Sequence, residues 1–133
     1  MRSQLKIVAA IVFLAPLTFL AFLHPATPAP RKKVFIAKAM VAVLMEAADA
    51  YRRDIGEYPP EEMGLRVLRF QPRGVEGWKG PYLTNNIRLD PWGHPFIYKF
   101  PGPHPDEPGI ASLGADGRPG GEGNDSDIVS WKQ

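Results

Sequence analysis

The sequence predicts an α+β fold: an apolar N-terminal helix, then one amphipathic helix packed on a small antiparallel sheet with long loops. Three observations carry this reading. Apolar residues recur at helical spacing over residues 34–55. Three short β-type runs follow, at residues 95–100, 110–113 and 127–131. The 15 prolines and 13 glycines predict a loop-rich, turn-punctuated domain beyond the helices.

In chain order, residues 7–23 carry no charge. As a helix they reach about 26 Å, close to the thickness of a bilayer core. Pro16 kinks such a helix without excluding it. Arg2 and Lys6 precede the run and Arg31, Lys32 and Lys33 follow it, so flanking charge is nearly balanced. A cleaved secretory signal is the alternative, although its apolar region usually spans only about 7–15 residues. His24 to Pro30 forms a stiff, proline-rich linker. The expected division is therefore an anchor or signal segment with its linker over residues 1–30, and one folded domain over residues 31–133.

Over residues 34–55, Met40, Val41, Leu44, Ala47, Ala48, Tyr51 and Ile55 fall on one face of a helix. Lys38, Glu46, Asp49 and Arg53 occupy the other, with Asp49 and Arg53 spaced as an i,i+4 ion pair. The stripe reads as a core face against a sheet, because a coiled-coil seam needs more heptads. Gly56 is the expected stop, with Pro59 and Pro60 beyond it. Residues 61–70 read as a short helix with Leu65, Val67 and Leu68 inward. Residues 78–83 and 90–93 read as ordered turns in which Trp78, Tyr82 and Trp92 supply apolar area. The runs 95–100, 110–113 and 127–131 are the three strands.

Composition excludes several function classes. A net charge of +2 makes no electrostatic case for nucleic acid. The chain has no cysteine, so an extracytoplasmic domain of this size has no disulfide and a bound metal is the available staple. His24, His94 and His104 lack a nucleophile partner recognisable in sequence, and His104 with Asp106 gives too few ligands for a metal site. His94, after Gly93, reads as a turn residue. No catalysis and no small-molecule substrate are expected.

The stretch SLGADGRPGGEGNDSDIVSW, residues 112–131, gathers Asp116, Glu122, Asp125 and Asp127 against one base, Arg118. Five glycines, Gly114, Gly117, Gly120, Gly121 and Gly123, let its backbone turn tightly. A tight loop that collects carboxylates calls for a cation, and one that takes about six to eight oxygens from carboxylates and carbonyls suits it. Calcium is the first hypothesis, and a solvated acidic loop is the other. The loop is not an EF-hand. Residues 120–125 match the start of a stacked calcium repeat, but there is one copy and Asp127 stands where that repeat needs an apolar residue.

With Asp90-Pro91-Trp92-Gly93-His94-Pro95 upstream, this stretch resembles the C-terminal half of the major pseudopilin of type II secretion systems. That family has a DPWG turn before a strand and a loop of the form S-L-G-A-D-G-x-x-G-G-x-G-x-x-A-D-I that holds calcium. Residues 51–59, 62–65 and 78–83 match in order, so the resemblance runs over residues 41–131. It implies a pseudopilin-like fold and a structural calcium ion. The ligands carried over are the main-chain oxygens of Leu113 and Arg118, the carboxylates of Asp116 and Asp125, and the amide oxygen of Asn124. Asp127 begins the last strand, where bonding to loop amides is its alternative role, so it ranks below Asp125, and Glu122 is expected to point to solvent.

The resemblance also implies other pseudopilins or secretion-system components as partners, and membrane attachment through the N-terminal helix. It places the chain in the bacterial inner membrane as a single-pass protein with its C-terminal domain in the periplasm. No G-F-T-L-I-E stretch of the family's leader occurs in the sequence, so a prepilin peptidase is expected to leave it uncut. The alternative is a stand-alone periplasmic or secreted calcium-binding module that no longer assembles into a filament.

Overall fold

The computed structural model describes residues 30–86 and 89–131. The predicted apolar segment at residues 7–23 and most of the linker lie outside the described residues. Among the described residues no helix is long and apolar enough to cross a membrane.

The long helix α1 spans Pro30–Ile55, so it starts at Pro30 rather than at Val34. A proline at the first helical position lacks an N–H that would have no partner there, and its fixed φ suits the helix. The linker's last proline thus opens the helix. Gly56 closes it as expected, at φ 98° with its N–H donating to Arg52 O at 2.8 Å. The predicted stripe is the buried one: Val41, Leu44, Ala47, Ala48 and Tyr51 are buried, joined by Ala37. Met40 and Ile55, at the margins of the stripe, are half-buried. The expected Asp49–Arg53 pair is not among the ion pairs of the described residues; Asp49 accepts a 2.7 Å hydrogen bond from the Tyr58 hydroxyl.

The predicted helix at residues 61–70 is only a 3-10 turn, Gly64–Leu68. Gly64 has φ 58°, which breaks an α-helix at that point. Val67 and Leu68 are buried as expected, and Leu65 is half-buried.

Three strands form one antiparallel sheet in the order β1-β2-β3: β1 at Ile97–Lys99, β2 at Gly109–Ser112 and β3 at Ile128–Val129. β1 and β3 are shorter than their predicted runs, β1 in part because Pro95 has no N–H for a ladder, while β2 keeps four residues and starts one position earlier. Pairing aligns Tyr98 with Ile110 and Ser112 with Ile128. Beyond β3, Ser130 N–H still donates to Ile110 O at 2.8 Å, and Ser130 Oγ accepts from Ile110 N–H at 3.0 Å. All four residues of β2 are buried: α1 packs against this central strand, and a Cβ built on Gly109 would meet Pro103 and Trp131 at 3.0 Å. The core is the α1 stripe with Tyr58, Val67, Leu68, Leu83, Ile110 and Ile128; Trp78, Tyr82 and Trp92 pack at its margin.

The tyrosines make this core sensitive to alkali. Burial raises the Tyr98 hydroxyl well above its ordinary value of 10.0, and that hydroxyl donates to Pro59 O at 2.6 Å. Burial also raises Tyr51, Tyr58 and Tyr82. Below about pH 10 both folded and unfolded chains keep these protons, so the stabilisation is intact. Above that pH the unfolded chain loses protons that the folded chain retains. Stability then falls by up to about 1.4 kcal/mol per pH unit for each such group. Urea midpoints are expected to stay level to about pH 9.5 and to drop steeply by pH 11, less steeply in Tyr98→Phe. A flat profile to pH 11 contradicts this.

Candidate metal centre

The site is built on a turn and on the end of a strand. In the turn 90–94, Asp90 is buried, and its Oδ1 accepts the N–H groups of Trp92 at 3.0 Å and His94 at 2.9 Å. An aspartate before proline suits this Asx turn. Its Oδ2 accepts the Ser112 hydroxyl at 2.6 Å. Ser112 is fully buried at the end of β2, so the turn is tied to the strand from which the acidic loop leaves. Sequence reasoning missed this tie. The D-P-W-G turn was legible, but its partner lies 22 residues on.

The loop then folds back on itself. Ala115 N–H donates to Asn124 O at 2.9 Å, which pins the entry to the exit. Gly114 has φ 69°, and a Cβ there would stand 2.7 Å from the Asp125 carbonyl. Gly121 has φ 82°, and a Cβ there would stand 2.8 Å from Asp125 C. Only glycine allows this close approach at two points. Asp116 Oδ1 accepts Arg118 N–H at 3.0 Å across Gly117. A 3-10 turn, Gly123–Asp125, completes the return.

The predicted ligands are therefore brought into one loop, with different exposures. Leu113 and Asn124 are half-buried, while Asp116, Arg118 and Asp125 are exposed, as is Glu122. Among the described residues no three histidine, aspartate or glutamate side chains converge as a ready cluster. A calcium ion here would need main-chain oxygens as well as carboxylates, which is how that hard cation is commonly held. Asn124 O accepts one bond from Ala115, and its side-chain amide oxygen is the further atom it offers.

The residue that stands out is Asp127. Its Oδ2 accepts Gly120 N–H at 2.9 Å. Its Oδ1 is buried and has no hydrogen-bond partner. A buried carboxylate oxygen without a donor costs roughly 1–3 kcal/mol or more, unless a cation meets it. The Gly120 bond is the loop-amide contact expected of Asp127, and the other oxygen of the same carboxylate is the enclosed, unanswered one. Loop, turn and orphan oxygen together fit a hard cation.

Comparison with known proteins agrees with this architecture. The family model described as type II secretion system (T2SS), protein G, matches residues 28–131. The match begins well before residue 41, where the motif resemblance starts. The type II secretion system core protein G of Pseudomonas aeruginosa is 32% identical over 97% of this chain and 92% of its own length. That of Xanthomonas campestris pv. campestris is 36% identical over 95% of this chain and 85% of its own. Among solved structures, the major pseudopilin of the type 2 secretion system of enterohaemorrhagic Escherichia coli superposes with a TM-score of 0.62 at 30% identity. That superposition covers 76% of this chain and 88% of the other. With a family match over residues 28–131 and a fold shared with a solved major pseudopilin, the chain belongs to the type II secretion protein G family, the major pseudopilins.

Proposed function

We propose that this chain is a non-enzymatic, membrane-anchored structural subunit of a type II secretion system whose C-terminal loop is held by calcium. Family membership makes it a structural secretion component that associates with other parts of that system. The observation that carries the calcium reading is the buried, unpartnered Asp127 Oδ1 at the exit of an acidic loop. Asp127, Asp116 and Asp125 supply carboxylates, Leu113 and Arg118 supply main-chain oxygens, and Asn124 supplies an amide oxygen. The ion joins β2 to β3, and thereby keeps closed a sheet of three very short strands. This calcium reading stands or falls with the melting temperature in the presence of the ion and of a chelator.

Anchoring rests on the charge-free residues 7–23, which as a helix match the thickness of a bilayer core. The periplasmic side for the domain follows from the family resemblance, since the flanking charge is nearly balanced. The full-length protein is expected to sediment with membranes and to resist carbonate extraction. Recovery of a soluble chain beginning near Pro30 would show a cleaved signal instead. That result would support the stand-alone periplasmic reading.

A further inference from the structure

His94 reaches from the turn into the acidic loop, where it is bonded to Gly114 and its ring lies beside Gly117. Its Nδ1 lies 3.0 Å from Gly114 O. A carbonyl oxygen only accepts, so Nδ1 carries the proton of this bond. The far edge of the ring covers Gly117. A Cβ built on Gly117 would stand 3.0 Å from Nε2 and 3.1 Å from Cδ2 and Cε1. Gly117 also has φ 65°, in the left-handed region. Gly114 and Gly117 bracket Asp116, and the carbonyls of Leu113 and Arg118 lie just outside them. One imidazole therefore holds the loop backbone on both sides of the entry carboxylate.

The ring itself is firmly mounted. His94 N–H is bonded to the buried Asp90 carboxylate, which is bonded in turn to the buried Ser112 hydroxyl. Ser112 Oγ also accepts Gly114 N–H at 3.3 Å. Gly114 is thus gripped at its N–H from the strand end and at its C=O from the turn.

We propose that His94 is a positioning residue for calcium. It sets the backbone of residues 114–117 in the ion-binding shape before the ion arrives, without itself touching the ion. This rests on the calcium reading above and adds a residue that sequence reading assigned only to a turn. A loop already in its bound shape loses less conformational freedom on binding, so affinity is gained without a new ligand.

The test is calorimetric titration of the full chain with calcium chloride at about pH 8. His94→Ala is expected to weaken calcium binding about tenfold by loss of this preorganisation. His94→Asn, whose amide can still donate toward Gly114 O, is expected to recover part of that loss. Gly117→Ala sets a methyl group against the ring, so it is expected to weaken binding more in the wild-type chain than in His94→Ala. A merely structural role would lower the melting temperature of the calcium-free chain and leave calcium affinity unchanged. If the wild-type chain binds calcium and His94→Ala binds within about twofold of it, the positioning role is overturned while the calcium reading survives. If the wild-type chain takes up no calcium, the calcium reading fails and the positioning role fails with it.

Discussion

Leu44→Ala is expected to destabilise the domain by about 3 kcal/mol, within the roughly 2–5 kcal/mol seen for fully buried leucines. Leu44 is 0% exposed and lies mid-stripe on α1, among the other members of a single core. Truncation removes apolar contact and leaves a void that the surroundings fill only in part. The domain has little reserve, since a chain of this size typically carries about 5–15 kcal/mol in total. For a domain near 100 residues, that loss corresponds to a fall in Tm on the order of 15 °C. Val43→Ala is the control, because the neighbouring Val43 is 45% exposed. It is expected to stay within about 0.5 kcal/mol of wild type. Urea unfolding with an unchanged slope checks both values. A Leu44→Ala loss below about 1 kcal/mol would mean that the α1 stripe is not the core.

The parts of the fold legible in the sequence are those set by local periodicity. The helix face from Val41 to Tyr51 repeats every 3.6 residues, and those residues are the buried ones. The three strands lie where β-type runs met turn residues, and Gly56 stops the helix through its positive φ. What stayed hidden depends on context. Pro30 looks like the end of a linker, yet it opens the helix, because a first-turn proline removes no helical hydrogen bond. Residues 61–70 have apolar residues at helical spacing, but Gly64 at φ 58° shortens the element to one 3-10 turn. Asp49 has an arginine four residues on and nevertheless accepts from Tyr58, which the chain reversal after Gly56 brings to it.

At the site, the glycines and acids marked the loop, while its internal order was hidden. Sequence order cannot say which carboxylate turns inward. Gly120 N–H captures Asp127 Oδ2, and that bond leaves Oδ1 enclosed without a partner. The tie from Asp90 to Ser112 and the reach of His94 to Gly114 join residues 22 and 20 positions apart. Only the sheet brings those positions together.

The calcium-held loop is tested most directly by the melting temperature of the domain from Arg31 onward, in calcium and in chelator. An ion that binds only the folded state stabilises it by RT ln(1 + [L]/Kd), about 2.7 kcal/mol at a hundredfold excess over Kd. With a Kd of about 10⁻⁴ M, typical of the tighter extracellular calcium modules, roughly 10 mM calcium reaches that excess. The expected rise in Tm is then on the order of 10 °C. Asp127→Asn and Asp116→Ala are each expected to remove most of that rise, Asp125→Ala likewise, and Glu122→Ala little. Identical melting curves in millimolar calcium and in chelator would contradict the account and leave 112–131 a solvated acidic loop.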